Sequence, residues 1–130
     1  MNTSIKAVTT LYGIPNCDTV KKARMWLTDQ GIAYVFHDFK KQGVPEKHLD
    51  AWLNAVGWER LVNRKGTTWR KLDASMQTAI KDASSAKALM MTQPSVIKRP
   101  VVEWGNDERI GKTDATTVGF DLEEWRTMTL

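Results

Sequence analysis

A chain of 130 residues can bury one hydrophobic core but is too short for two independent ones, so we expect a single domain over residues 1–130. The hydrophobic share of 42% and the six tryptophans exclude a disordered chain, because they supply the apolar surface that offsets the entropy lost on folding. The net charge is only +4, and the basic residues are mixed with acidic ones over most of the chain, so we expect no nucleic-acid partner.

A single cysteine cannot form an internal disulfide. The amino-terminal residues also lack the apolar run of a signal peptide or of a membrane span. We therefore expect a protein of the reducing cytoplasm with no membrane partner. We also expect a monomer.

The first part of the chain predicts a β-α-β unit. Residues 7–12 (AVTTLY) are apolar and β-branched and are followed by Gly-Ile-Pro-Asn, which predicts a strand and then a loop. A helix begins near Asp18, carries apolar residues on one face as far as Leu27, and stops at Gly31. Residues 33–39 (AYVFHDF) predict a second strand, which a crossover of this kind places parallel to the first.

The middle of the chain predicts only helices. Residues 45–57 predict an amphipathic helix that opens on a proline and stops at a glycine. Residues 75–91 predict two short helices joined near residues 82–84, where polar residues interrupt the pattern. We therefore expect an inserted helical region at about residues 44–92.

The last part of the chain predicts antiparallel strands. Residues 101–104 and 108–110 are expected to form a hairpin, because Gly105 and Asn106 between them supply the backbone that a tight turn needs. Residues 111–117 (GKTDATT) predict a polar loop.

A capping box that starts at Asp121 predicts a terminal helix. We expect its apolar face to contain Leu122, Trp125 and Met128. The order of elements is thus β-α-β, a run of helices, and β-β-α. This order is typical of an α/β protein with a thioredoxin-like sheet interrupted by helices.

Cys17 lies where the first loop meets the first helix. Unpaired backbone N–H groups and the positive end of the helix dipole favour a thiolate at such a position, and Lys21 and Lys22 add positive charge. For an arbitrary lone cysteine, a small residue tolerated in a loop is the better interpretation. The placement of Cys17 reverses that preference and predicts a reactive nucleophile.

A single nucleophilic thiol forms a covalent adduct that a sulfur from another molecule must resolve. In the cytoplasm we expect that molecule to be glutathione. Because glutathione is anionic, its binding would use arginines, whose planar guanidinium group pairs with a carboxylate through two hydrogen bonds.

Four sequence blocks together resemble the ArsC family. They are YGIPNCDTVKKARMWL at 12–27, LVNRKGTTWRKL at 61–72, PSVIKRPVV at 94–102 and VGF at 118–120. The family contains glutaredoxin-linked arsenate reductases, Spx transcriptional regulators and YffB-type proteins regarded as glutathione-dependent thiol reductases. The resemblance covers nearly the whole chain and implies a thioredoxin-like (glutaredoxin-like) fold with an inserted helical region.

The resemblance also implies roles for individual residues. Cys17 matches the family nucleophile, and Arg64 and Arg99 match arginines expected to bind glutathione or another anionic substrate. Pro100 matches the proline that is cis in thioredoxin-like folds and faces the reactive cysteine. Asn16 is a secondary candidate, whose alternative role is ordinary turn chemistry.

Three departures distinguish the branches of the family. Val20 replaces the second cysteine of the Spx C-x-x-C motif, and D-T-V-K-K replaces the arsenate-reductase signature after the cysteine. Gly119 aligns with a third oxyanion-binding arginine, so Arg109 and Lys112 become the candidates for the missing charge. The sequence thus resembles the YffB branch most closely.

We therefore expect a glutathione-dependent thiol reductase with no bound cofactor, with glutathione as co-substrate and glutaredoxin as a further candidate partner. The alternatives are an Spx-like regulator that binds RNA polymerase and, after it, an arsenate reductase. We expect no metal site, because His37 and His48 have no second cysteine to join them as zinc ligands.

Overall fold

The computed structural model describes residues 8–106, 109–111 and 115–129. The chain divides into two compact units. The sheet unit contains the residues up to Asp38 and those from Arg99 onward, and the helical unit contains residues 39–98. The prediction of one domain with an inserted region at residues 44–92 stays a prediction.

Strands form only in the sheet unit, within the described residues. They are β1 (Thr9–Gly13), β2 (Tyr34–Asp38), β3 (Val101–Glu103) and β4 (Thr116–Val118). The helices are α1 (Asp18–Asp29), α2 (Phe39–Gln42), α3 (Glu46–Val56), α4 (Trp58–Leu61), α5 (Thr67–Arg70), α6 (Ala74–Ala79), α7 (Ala83–Thr92) and α8 (Leu122–Met128), with a 3₁₀ helix at Pro94–Val96. The join between α6 and α7 confirms the predicted pair of short helices.

The strand order across the sheet is β2-β1-β3-β4. Strand β2 runs parallel to β1, and the β1–β3 and β3–β4 pairs are antiparallel. Helix α1 makes the crossover from β1 to β2, and α8 follows β4. The predicted thioredoxin-like fold, β-α-β followed by β-β-α, is therefore confirmed.

Helix α1 forms where its pattern predicts. It begins at Asp18, and Gly31 follows its last turn with a φ of 71°. Val20, Ala23 and Leu27 are buried on one face. These residues join the core that α1 and α8 build against one face of the sheet.

Helix α8 also forms as predicted, and the carboxylate of Asp121 accepts hydrogen bonds from the backbone N–H groups of Glu123 and Glu124. Trp125 and Met128 are buried. Leu122 was expected on the same apolar face but is 41% exposed, because it occupies the first position of a short helix.

The predicted hairpin is wrong. Strand β3 pairs with β4, with Val101 opposite Val118, so the return strand starts inside the segment expected to be a polar loop. Ile110 instead makes an isolated bridge to Thr129. The run Thr116-Thr117-Val118 is β-branched throughout, which suits a strand better than a loop. Residues 107, 108 and 112–114 lie outside the described part of the chain.

The helical unit has its own packed interior, which includes Trp52 of α3. Phe39 was expected to end β2 but begins α2, with its ring centroid 6.2 Å from that of Trp52. The Lys87 ammonium of α7 lies 2.8 Å from carboxylate oxygens of both Glu46 and Asp50 in α3. None of the described helices has the length and apolar composition needed to cross a membrane.

Gly13 lets the end of β1 approach the first turn of α1. A β-carbon at position 13 would lie 2.8 Å from Cγ2 of Val20, a fully buried side chain whose branched β-carbon restricts its rotation. We expect Gly13→Ala to lower the free energy of unfolding by about 1–3 kcal/mol, measured by chemical denaturation.

The Val20→Ala background provides the control for this substitution. With the valine methyl groups removed, the same Gly13→Ala change should cost at least about 1 kcal/mol less, because the two positions are in contact. An equal cost in both backgrounds would show that close packing of β1 on α1 is not the reason for a glycine at this position.

Candidate functional site

Cys17 is the N-cap residue of α1, as the sequence predicts. Its backbone is extended, with φ −146° and ψ 120°, and its carbonyl oxygen accepts the first helical hydrogen bond, from the N–H of Lys21 at 2.9 Å. The residue is half-buried, and it packs against the hydrophobic core of the sheet unit. The thiol therefore lies beside the amino-terminal turn of a 12-residue helix, where backbone N–H groups point outward.

Pro100 lies at the same edge of the sheet as the loop that leads to Cys17. The peptide bond between Arg99 and Pro100 is cis, as the resemblance implies. Val101 pairs with Tyr12 in the antiparallel β1–β3 ladder. Pro100 precedes Val101 and therefore lies beside the carboxyl end of β1. Pro100 is buried, and Arg99 is half-buried directly before it.

Gly119 lies at the same edge of the sheet, directly after β4, the strand that pairs with β3. Its N–H donates a 2.9 Å hydrogen bond to the carbonyl oxygen of Pro100. It is buried with a φ of 84°, a conformation that glycine adopts readily and other residues rarely do. The position aligned with a third family arginine therefore has a backbone role in this chain.

Arg109 lies at the opposite end of α1 from Cys17. Its Nε is 3.4 Å from the place that a β-carbon on Gly31 would occupy, and Gly31 follows the last turn of the helix. Twelve residues of α-helix span about 18 Å. The prediction that Arg109 supplies the missing charge beside Cys17 is thus wrong. Lys112, the other candidate, lies outside the described residues.

The structure brings the loop with Asn16 and Cys17 to one edge of the sheet unit together with Arg99 and Pro100. Asn16 is exposed in that loop. Arg64 belongs to the helical unit, in the loop between α4 and α5, with its guanidinium carbon 5.0 Å from the centroid of the Trp58 ring. The role of Arg64 in binding the anionic substrate of Cys17 stays a prediction.

A buried tyrosine on β1 was missed by the sequence analysis. The hydroxyl of Tyr12 donates a 2.6 Å hydrogen bond to Oε1 of Glu103 on β3, and its ring centroid lies 4.9 Å from that of His37 on β2. The three residues link three neighbouring strands immediately before the Cys17 loop. In the ranges that the structure describes, no group of three potential metal ligands comes together.

Burial, followed by the hydrogen bond to Glu103, raises the pKa of Tyr12 above its ordinary value. The native state therefore holds this proton more tightly than the unfolded chain does, and the stabilisation is lost as the pH rises above about 10. Tyr12→Phe should lower the free energy of unfolding by about 1 kcal/mol at neutral pH, with a gap to wild type that narrows above about pH 10. Urea unfolding on both sides of this pH measures the gap, and a constant gap would contradict the assignment.

Comparison with known proteins places the chain among proteins of related sequence and fold. The sequence model of the ArsC family matches residues 12–128. A solved structure of a protein named YffB has a TM-score of 0.80 and 43% identity, covering 95% of this chain and all of its own. An arsenate reductase (ArsC) related protein from Brucella melitensis has a TM-score of 0.69 and 47% identity, covering 92% of each chain. The global transcriptional regulator Spx of Streptococcus pneumoniae strain R6 is 23% identical over 95 residues, which are 72% of this chain and 70% of that protein.

Proposed function

This chain belongs to the ArsC family, and we propose that it acts as a glutathione-dependent thiol reductase with Cys17 as its nucleophile. One observation carries the proposal: the thiol of Cys17 sits at the start of α1 on the sheet edge that also holds cis-Pro100. The sulfur lies beside outward-pointing backbone N–H groups, and its thiolate is the nucleophilic form. The reducing cytoplasm is the compartment proposed for this chemistry.

The proposed reaction proceeds in two thiol–disulfide exchanges. The Cys17 thiolate attacks the glutathione sulfur of a mixed disulfide, which releases the substrate thiolate and leaves glutathione attached to Cys17. The thiolate of a second glutathione then attacks the glutathione sulfur of this adduct, which restores the Cys17 thiolate and releases oxidised glutathione. The substrate gains two electrons and the two glutathione sulfurs form one new S–S bond.

Arg99 is proposed to bind a glutathione carboxylate. It is half-buried and directly precedes Pro100, so its backbone position is tied to the register of β3 against β1. A guanidinium group in such a place offers two parallel N–H donors to a carboxylate. Arg64 is proposed to bind the same anionic partner on the strength of the family resemblance, with Asn16 as an additional hydrogen-bond donor.

The alternatives explain the chain's residues less well. A redox switch built on two thiols would need a second sulfur at position 20, and Val20 is instead fully buried in the sheet unit's core. An arsenate reductase would place a third cation at position 119. Gly119 has no side chain to supply that charge, and its backbone N–H already donates to the carbonyl oxygen of Pro100. These features favour thiol exchange over a dithiol sensor and over arsenate reduction.

A thiol-transfer assay with a glutathionylated peptide tests the proposal. Cys17→Ser should reduce turnover to the uncatalysed rate, because the hydroxyl cannot form the mixed disulfide. Retention of full activity by this folded variant would exclude Cys17 as the nucleophile.

Two conservative arginine substitutions test the anion-binding role in the same assay. Arg99→Lys keeps the charge but loses the paired N–H donors, so the KM for glutathione should rise about tenfold. Arg109→Lys, at the far end of α1, is the matched control and should leave the KM within about twofold. Equal effects of the two substitutions would remove Arg99 from the binding site.

A further inference from the structure

The basic character of the chain is concentrated in the helical unit. Residues 39–98 hold 11 lysines and arginines against five aspartates and glutamates, a net charge of +6. The rest of the chain holds eight against ten, a net charge of −2. The modest overall charge of +4 therefore conceals two parts of opposite sign.

Four of the five carboxylates in the helical unit are committed to stabilising it. They are Glu46 and Asp50, which bind Lys87, and Asp73 and Asp82, which cap α6 and α7. Hydrogen bonds from the Ser75 side chain and the Met76 backbone lower the pKa of Asp73. Hydrogen bonds from the backbone and side chain of Ser85 lower the pKa of Asp82. The fifth carboxylate, that of Glu59, lies in a cluster of the unit's arginines and lysines.

This cluster lines an open depression of about 320 Å³ on the helical unit. Its lining includes Arg60, Arg64, Lys65 and Lys98 together with the single carboxylate of Glu59. All four cationic residues are exposed to solvent. The depression therefore carries a net charge of about +3 on a small area of surface.

Backbone hydrogen bonds bring these cations together from two separate segments. The N–H of Asn63 donates to the carbonyl of Val96 at 2.8 Å, and the N–H of Lys98 donates to the carbonyl of Leu61 at 2.7 Å. The two segments therefore run antiparallel, which sets Lys98 beside the loop that carries Arg64.

The loop itself is held by further contacts. The N–H of Lys65 donates to Oδ1 of Asn63 at 3.2 Å, and Nη2 of Arg70 donates to the carbonyl oxygen of Lys65 at 2.6 Å. A β-carbon at position 66 would lie 2.8 Å from Nδ2 of Asn63, so a larger residue there would displace the Asn63 side chain that holds the loop. The positions of the cations are thus fixed by the backbone, even though their side chains face water.

We propose that this depression docks an acidic segment of a partner protein, one that presents two or more neighbouring carboxylates. Exposed lysines and arginines hold a lone small anion weakly at physiological salt, whereas several carboxylates on one chain bind together and add their contributions. A nucleic acid needs a longer track of cations than the four that line this depression. The docking site shares Arg64 with the proposed glutathione site, but it does not require Cys17.

Fluorescence anisotropy with a labelled octaglutamate peptide tests the proposal at about 50 mM and about 150 mM salt. Lys65→Gln combined with Lys98→Gln should weaken binding about fivefold to tenfold, because each exposed ion pair contributes a few-fold. Lys47→Gln combined with Lys81→Gln removes the same charge from the helical unit outside the depression and should change the affinity less than about twofold. Cys17→Ser should bind like wild type, so a failure of the proposed reductase activity leaves this test intact.

Three results would overturn the proposal. The first is no binding of octaglutamate by the wild-type protein at the lower salt concentration. The second is an equal loss in both double variants, which would mean that the general positive charge, and not the depression, attracts the peptide. The third is tighter binding of a single-stranded DNA oligomer with the same number of charges, which would assign the surface to nucleic acid.

Discussion

The pairing of β1 on both of its edges is the constraint on which the candidate site depends. Strand β1 is parallel to β2 on one side and antiparallel to β3 on the other, so its position in the sheet is fixed twice. Helix α1 connects β1 to β2, so the parallel pairing of these strands fixes the position of the helix start and of its N-cap residue, Cys17. The antiparallel pairing sets Pro100 at the same edge, and the β3–β4 pairing adds Gly119 to it. Three segments distant in sequence thus meet at one end of the sheet.

This arrangement leaves the thiol of Cys17 without a second cysteine in the chain as a partner. The one cysteine of the chain is at the edge of the core, neither fully buried nor fully exposed, and its helix packs tightly on the sheet through Val20. Any disulfide that Cys17 forms must therefore be resolved by a sulfur from outside. The excess positive charge of the chain belongs to the helical unit, whose net charge is +6.

Local signals in the sequence predicted most of the fold around the site. The apolar spacing of α1, the stop at Gly31, the cap at Asp121 and the break near Asp82 each depend on a few adjacent residues, and the structure confirms all four. The hairpin failed because Gly105 and Asn106 are an equally local turn signal, while the true partner strand starts further along the chain. A pattern of neighbouring residues does not indicate which distant strand pairs with a given strand in the sheet.

The site was predictable only in part, for the same reason. The position of Cys17 follows from a local strand–loop–helix pattern, and the roles given to Arg99 and Pro100 came from the resemblance. The bond from Tyr12 to Glu103 joins residues 91 positions apart, and nothing in either segment alone indicates it. The grouping of Lys65 with Lys98 likewise depends on backbone pairing between distant segments, so counting charges along the sequence made the basic residues look dispersed.

The central claim is that Cys17 exchanges thiols with glutathione, and intact-mass spectrometry tests it most directly. The protein is treated with oxidised glutathione, measured, and then treated with reduced glutathione and measured again. The account predicts one added glutathione on Cys17, formed faster than on the unfolded chain and removed by the second treatment. A Cys17 that acquires glutathione no faster in the folded protein than in the unfolded one would contradict it.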